Sequence, residues 1–268
     1  MKQNPEEEKD LMSKYLYETH MHTCFGSRCG VSTGKEHVHY YLDQGFTGII
    51  VTDHFFGGNC AVDRSLPWEQ RIDDYWKGYE DALEEGLKVG LDVFFGIEQN
   101  YQGDEYLIYG LTKEYMKAHP EMEHWTRREQ LEKVHAAGGA VIQAHPFRLR
   151  AYMDKIRLGE LFADGAEVAN AGNAQPEDAR ALRYARDLNL VMTAGSDNHH
   201  SPAPMLFGVE LDRKLTSILD YVQIILNREP IGLHVPAERF ILPDEPIDEQ
   251  HRAWGLLEDE SLIARDEY

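Results

Sequence analysis

Short apolar runs alternate with longer amphipathic stretches along most of this chain. Residues 47–52, rich in isoleucine and valine, and residues 140–144 predict strands covered on both faces, since neither run keeps a polar side for solvent. Runs at 15–22, 93–97, 106–111, 165–169 and 190–194 complete a set of seven. Between them, residues 35–44 carry a helical period closed by Gly45. Pro67 suits a first helical turn and opens a long helix predicted to run to 89, along which Trp68, Tyr75, Trp76 and Tyr79 read as packing residues. Further helices are predicted up to His135, with a stop at Gly138-Gly139, and at 176–188 and 215–227. Residues 55–66, with Gly57-Gly58-Asn59, read as a loop, and 230–235 as a short extended piece. Strand and helix thus alternate throughout. That order predicts an α/β fold with a parallel sheet and covering helices, and strand ends rich in reactive side chains favour a closed barrel over an open sheet.

At 268 residues the chain can bury the core of one large domain. The expected division is a polar lead-in at 1–14, a barrel domain at 15–235 and an acidic extension at 236–268, packed on the barrel or trailing from it, with Asp244, Glu245, Asp248 and Glu249. A formal charge of −20, from 47 acids against 27 bases, repels a nucleic-acid backbone, and the sequence shows no basic groove to offset it. Nucleic acid is therefore not an expected partner. A small anionic substrate suits the same composition, because bound divalent cations reverse the field locally. Cys24, Cys29 and Cys60 are too few and too irregular for a disulfide framework. The first eleven residues lack the apolar stretch of a signal peptide, and no run is long enough to span a membrane. A cytoplasmic protein without a membrane partner is expected.

The strand ends carry the chemistry. Side chains on a strand alternate with period two, so Thr19-His20-Met21-His22 aims two imidazoles at one side. Val51-Thr52-Asp53-His54 puts an acid and an imidazole at the next strand end, and Glu98 follows Phe94-Phe95-Gly96-Ile97. His145 comes with Pro146, which can end the strand and fix the backbone just past the imidazole. Gly195-Ser196-Asp197-Asn198-His199 again spaces acid and imidazole two apart. Singly, each has an ordinary reading: Asp53 as a helix cap, His54 as a surface histidine, Glu98 as a solvated loop acid. Together, ligand-type side chains at so many strand ends predict a multinuclear metal centre at one mouth of a barrel.

In chain order, His20-Met21-His22, Thr52-Asp53-His54, Gly96-Ile97-Glu98, His145-Pro146 and Ser196-Asp197-Asn198-His199 resemble the motifs of the PHP family, the polymerase and histidinol phosphatase domain. The resemblance covers residues 15–200 by motif and the remainder by length. It implies a distorted (β/α)7, TIM-like barrel with two or three divalent ions at the C-terminal strand ends, and phosphoesterase chemistry. By matching position, His20, His22, Glu98 and Asp197 would hold one ion, Glu98 would bridge to a second beside His145, and His54 and His199 would hold a third. Two places depart from the family. The loop after the first pair reads Ser27-Arg28-Cys29-Gly30 where another His or Asp is common, and Tyr109-Gly110-Leu111 offers no histidine at the end of the fourth strand. Cys29 is then either a thiolate ligand or a buried inert thiol.

Imidazole with carboxylate suits Zn²⁺, Mn²⁺ or Fe²⁺. The expected activity is hydrolysis of a small phosphomonoester, of the histidinol phosphate or nucleotide kind, by a metal-bridging hydroxide available near neutral pH. Arg148, in Pro146-Phe147-Arg148, is the expected grip on the phosphate because its planar fork suits bidentate contact; a surface salt bridge is its ordinary fate, and Arg28 and Arg150 are the other choices. Asp53 points away from His54 on a regular strand and is expected to support that ligand or to accept a proton. Asn170 and Asn173 follow the sixth strand, to line the pocket or to serve as loop residues. The remaining histidines, His37 among them, fit no strand-end pattern and read as structural or solvent-facing. Two other functions stand beside the main one. An amidohydrolase barrel acting on C–N bonds also opens on His-x-His, but its lysine or carboxylate after the fourth strand is not found in Ile108-Tyr109-Gly110-Leu111. The other is a non-catalytic metal-binding PHP module.

Overall fold

The computed structural model describes residues 14–241, except 152 and 154, together with the backbone of 263–264. The expected lead-in at 1–14 lies outside these residues but for its last member, and so does nearly all of the acidic extension beyond 241.

All seven expected strands form: β1 (Tyr15–Met21), β2 (Gly48–Val51), β3 (Asp92–Asn100), β4 (Glu105–Tyr109), β5 (Ala140–Ala144), β7 (Gly165–Asn170) and β8 (Val191–Gly195). Four more occur among the described residues, one of them, β10, within the extended piece expected at 230–235. Two-residue β6 (Ile156–Arg157) pairs in parallel with β11 (Ile263–Ala264), while β9 (Gly208–Leu211) and β10 (Gly232–His234) join the main sheet. The main sheet runs β10-β9-β1-β2-β3-β4-β5-β7-β8. It curls until the end of β8 meets β1: Met21 bridges Asn198, the His22 amide donates to the Asn198 carbonyl at 2.8 Å, and Thr19 Oγ1 donates to the Ala194 carbonyl at 2.9 Å. The architecture is a distorted α/β barrel, with β9 and β10 as an antiparallel flange on the first half of β1.

The uniformly parallel sheet expected from strand–helix alternation is not what forms. β4 runs antiparallel to both β3 and β5, whereas β1 to β3 and β5 to β8 pair in parallel. The cause is the connection: residues 101–104 suffice for a hairpin, and a parallel crossover needs a dozen or more. The reversal has a chemical consequence. β4 brings its first residue, Glu105, to the mouth where its parallel neighbours bring their last.

The helices cover the outside. α1 (Gly34–Asp43) opens on a capping box in which Thr33 and Glu36 satisfy each other's backbone amides. The long helix expected from 67 to 89 is in fact two, α2 (Trp68–Tyr75) and α3 (Lys77–Val89), divided at Trp76. Trp76 stacks on Phe95 with ring centroids 3.9 Å apart and donates its indole N–H to Met116 Sδ at 3.3 Å, so the break locks the junction against β3. Gly78 then lets α3 touch the barrel: a Cβ there would lie 2.1 Å from Thr23 Oγ1. α4 (Lys113–Ala118), α5 (Arg127–Ala136), α6 (Gln175–Asp187) and α7 (Ile218–Leu226) complete the cover. Among the described residues, no helix is long and apolar enough to cross a membrane.

Candidate metal centre

Period-two alternation on β1 sends His20 and His22 into the barrel mouth, where both are fully buried. His20 Nε2 lies 3.1 Å from Glu98 Oε1 and 3.4 Å from Asp197 Oδ1. His22 Nε2 lies 3.4 Å from Glu98 Oε2 and 3.0 Å from Asp197 Oδ1. Glu98 is the hub of the cluster: His54 Nδ1 approaches its Oε2 at 2.6 Å, and His145 Nε2 its Oε1 at 3.3 Å. His199 stacks on His22 with ring centroids 4.3 Å apart. The structure thus brings together all seven residues expected as ligands.

These groups fit divalent cations. His54 Nδ1, Glu98 Oε2 and Asp197 Oδ1 are buried without a hydrogen-bond partner, although charged or polar atoms lie within 3.5 Å of each. Buried polar atoms are rarely left so, because the unmet desolvation is costly. Atoms that crowd one another without hydrogen-bond geometry have the arrangement of ligands directed at shared points. Four overlapping sets place their donor atoms within 4.8 Å of one another: His20, His22, Glu98 and Asp197; His22, His54 and His199; His20, His145 and Glu167; and His54, Glu98 and Glu105.

Hydrogen bonds fix which imidazole nitrogen keeps its lone pair. A carboxylate or carbonyl oxygen only accepts, so His20 Nδ1 carries a proton towards Glu167 Oε1 at 3.0 Å, and His199 Nδ1 towards the Asp197 carbonyl at 2.8 Å. Ser27 donates its hydroxyl to Asp53 Oδ1 at 2.8 Å and therefore accepts from His22 Nδ1 at 3.0 Å. In all three rings Nε2 is left free to bind metal. Glu18, also buried, accepts from the amides of His20 at 2.8 Å and Ser196 at 2.9 Å, which ties β1 to the Asp197 turn. Gly195 permits this crowding, because a Cβ there would lie 2.6 Å from both Glu167 Oε1 and His20 Cβ.

Charge is concentrated accordingly. Burial opposes ionisation of Glu98, yet His20 and His54 outweigh it and hold the carboxyl well below its usual range. Asp197 is likewise held well below, burial being overcome by Arg148 and His20. Burial together with His54 and His199 drives His22 well below the ordinary imidazole range, into the neutral form that a metal ligand requires. His20 and His54 are raised well above theirs, because Glu167 and Glu98 respectively outweigh burial. The centre thus keeps protons among its carboxylates where a cation would supply the positive charge. The backbone also departs from the ordinary at two expected ligands, His145 with φ of 27° and Asp197 with φ of 53°. Non-glycine residues in this region cost free energy and concentrate at functional sites.

The remaining expectations divide. Asp53 turns away from the cluster: its carboxylate accepts from the Thr23 amide at 2.7 Å, Thr23 Oγ1 at 2.6 Å and Ser27 Oγ. Arg148 is no surface residue; its side chain is 10% exposed and donates to Asp197 Oδ2, Asn170 Oδ1 and, at 2.7 Å, Asn173 Oδ1. Asn170 and Asn173 therefore serve the site by holding that arginine. Arg28 instead donates to the Cys60 carbonyl at 2.8 Å. Cys29 is exposed, not a buried inert thiol, and its Sγ lies 3.1 Å from His199 Nε2. Partial desolvation of the thiol, in a residue that is exposed as a whole, raises its pKa, but His199 and His54 prevail and lower it to about 6. Cys29, His54, Glu105, Arg148, Arg150, Asp197 and His199 line a cavity of about 450 Å³ over the cluster.

Sequence reasoning missed Glu18, Glu105 and Glu167. Glu105 Oε2 is 3.4 Å from His145 Nε2, at the start of β4, whereas a parallel fourth strand would present its ligand at the other end, at Tyr109-Gly110-Leu111. For Glu18 and Glu167 a signal existed: each is an acid inside a strand otherwise short of charge, and such an acid is buried only with partners.

No protein-family model matches the chain. A 5′-3′ exoribonuclease from Haemophilus influenzae is 31% identical over 87 residues, 31% of this chain and 32% of that protein, so the match spans about a third of the relative's length. Among solved structures, a candidate metal-dependent phosphoesterase from Bifidobacterium adolescentis gives a TM-score of 0.52 at 17% identity, covering 78% of this chain and 96% of the other. A two-domain protein from Bacteroides vulgatus, containing a predicted PHP-like metal-dependent phosphoesterase, gives 0.55 at 18% identity over 80% of this chain and 63% of its own. PsfC from Pseudomonas syringae gives 0.55 at 15% identity over 85% and 94%. Likeness at such identities speaks for the fold. The chain has the barrel fold of PHP-like metal-dependent phosphoesterases, and the motifs by which its sequence resembles that family meet at one mouth of that barrel.

Proposed function

We propose that this protein is a metal-dependent phosphoesterase that hydrolyses a small phosphomonoester. The observation that carries the reading is the convergence of His20, His22, Glu98 and Asp197 beneath a cavity on whose wall Arg148 is held. His20, His22, Glu98 and Asp197 would hold one ion, Glu98, His145 and Glu105 a second, and His54 and His199 a third, with zinc, manganese and iron as the candidates. Bound there, such ions lower the pKa of water towards about 7 and stabilise charge on phosphoryl oxygens.

The chain's own residues then orient the substrate. A guanidinium has five N–H donors, and Arg148 spends three on Asp197, Asn170 and Asn173. One N–H remains on each terminal nitrogen, a pair suited to two oxygens of one phosphate. Asn170 and Asn173 set the plane of that fork before substrate arrives, which spares the entropy of ordering it. Ser27 and Asp53 hold the His22 ring in the tautomer with Nε2 free.

The carboxylate of Glu105 at the mouth removes one argument against C–N bond hydrolysis, since the fourth strand does contribute an acid. Arg148 favours the phosphoester. The test is a panel assayed with added Mn²⁺, Zn²⁺ or Fe²⁺: histidinol phosphate, nucleoside monophosphates, a 5′-phosphorylated oligoribonucleotide, chosen for the activity of the Haemophilus relative, and cyclic amides. The expected result is phosphate release from a small monoester, abolished by chelation and reduced in Arg148→Lys chiefly through KM. Hydrolysis of the amides alone, or of the oligonucleotide alone, would replace this reading.

A further inference from the structure

We propose that Asp178, clamped by Arg239, is a positioning residue that presents Arg148 to the substrate phosphate. The inference rests on the reading of Arg148 as the phosphate grip and extends it outwards by two residues, neither of which lines the cavity or belongs to a ligand set.

Asp178 lies in the first turn of α6, and an acid there is ordinarily explained by the positive end of the helix. That explanation accounts for neither its burial nor its partners. The side chain is out of contact with solvent, and both oxygens are engaged. Oδ1 accepts from the Asn170 amide at 3.1 Å and from Asn173 Nδ2 at 2.8 Å. Oδ2 accepts from Arg239 Nε at 2.8 Å, with a second nitrogen of that guanidinium 2.6 Å away. Arg239 comes from a helical turn at Ala237–Phe240 and donates also to the Asn173 carbonyl at 2.8 Å. Asp178 and Arg239 together thus hold the 170–173 loop by main chain and side chain.

The consequence is a direction. Burial pushes the Asp178 carboxyl up to about 6, against Asn173 and Arg239, so at neutral pH the group is ionised and can only accept. Asn173 must therefore turn Nδ2 to Asp178, which leaves Oδ1 for Arg148 Nε at 2.7 Å. Glu167 does the same to Asn170, taking Nδ2 at 2.8 Å and leaving Oδ1 for an Arg148 terminal nitrogen at 2.5 Å. Two carboxylates so turn two acceptors towards one guanidinium. Glu167 also holds His20, and Asp178 is therefore the member of the pair that separates phosphate binding from metal binding. An asparagine at 178 could not replace it. Having one acceptor end and one donor end, it would turn an N–H either to Arg239 or to the N–H groups of 170 and 173.

The experiment is calorimetric titration of inorganic phosphate into manganese-loaded full-length protein, with bound manganese counted on every sample, for the wild type, Asp178→Asn, Arg148→Ala and the double variant. Asp178→Asn is expected to keep the wild-type manganese content and to weaken phosphate about tenfold, but to add nothing in the Arg148→Ala background, because residues that act through one another are not additive. Arg239→Ala is expected to behave as Asp178→Asn does and Arg239→Lys to recover part of the loss; should Asp178→Asn fail to fold, Arg239→Ala carries the same cycle. An equal loss in both backgrounds marks a merely structural role and overturns the proposal, as does wild-type phosphate affinity in a folded Asp178→Asn. A wild type that binds manganese but no phosphate overturns instead the phosphate-grip reading beneath it.

Discussion

Glu167 on β7 accepts a hydrogen bond from Nδ1 of His20 on β1 at 3.0 Å, across the barrel and out of contact with solvent. The same carboxylate accepts from the His145 amide at 3.1 Å and from Asn170 Nδ2 at 2.8 Å, so one residue orients a ligand ring, anchors the strand end of a second and links both to the partner of Arg148. Partners of this kind typically contribute tenfold to hundredfold to metal affinity. Glu167→Gln, which keeps an acceptor but removes the charge, is expected to weaken metal binding about tenfold, and Glu167→Ala nearer about a hundredfold. Competition against a chelator dye measures both; equal affinity in all three proteins would show that Glu167 does not position His20.

The Asp53 carboxylate accepts from Thr23 and Ser27, and Asp53 is not among the residues that line the cavity. Its expected function is therefore to hold Ser27, and through it the His22 ring and the His54 amide, which donates to Ser27 Oγ at 2.9 Å. Asp53→Asn should lower kcat by less than about tenfold and leave the acidic limb of the pH–rate profile in place, whereas removing a general base costs about a hundredfold or more. Loss of that limb would make Asp53 the proton acceptor instead.

Much of this was legible in the sequence. Seven strands and seven ligand-type residues were visible because strand periodicity and the positions of imidazole and carboxylate are local properties. What was not legible depends on chain direction and on partners distant in sequence. The four residues between β3 and β4 decide that β4 runs backwards, and with it which end delivers Glu105. Glu18 and Glu167 acquire meaning only when β1, β7 and β8 stand side by side. The helix break at Trp76 follows from its stacking on Phe95, a contact that no helical period announces.

Glu105 tests the correction most directly. Its carboxyl is pushed up by burial and by the neighbouring Glu98, the state of an acid awaiting a cation. Glu105→Gln is expected to lower bound metal by one ion per chain while leaving the ion at His20, His22 and Asp197 in place. Elemental analysis after dialysis decides it, and an unchanged metal count would remove Glu105 from the ligand set.

His37 should make stability depend on pH outside the ligand set. It is fully buried, donates from Nε2 to the His22 carbonyl at 3.0 Å and meets Ser201 Oγ through Nδ1 at 2.9 Å, an arrangement of the neutral ring. Burial pushes its pKa down to about 4. The unfolded chain, with a pKa near 6.5, takes up a proton that the folded protein refuses, so this contribution is present above about 6.5 and is lost as pH falls towards 4. Between pH 7 and 5 the loss is about 2 kcal/mol. Urea unfolding of metal-depleted protein should show that much less pH dependence in His37→Gln than in the wild type; matching slopes would contradict it.

The central claim is that the strand ends of this barrel hold metal. It is tested by elemental analysis of the purified protein beside Asp197→Ala, with circular dichroism confirming that the variant is folded. The account predicts two or three divalent ions per chain in the wild type and at least one fewer in the variant. Less than one ion per chain in the wild type after incubation with zinc, manganese and iron, or a full complement in a folded Asp197→Ala, would contradict it.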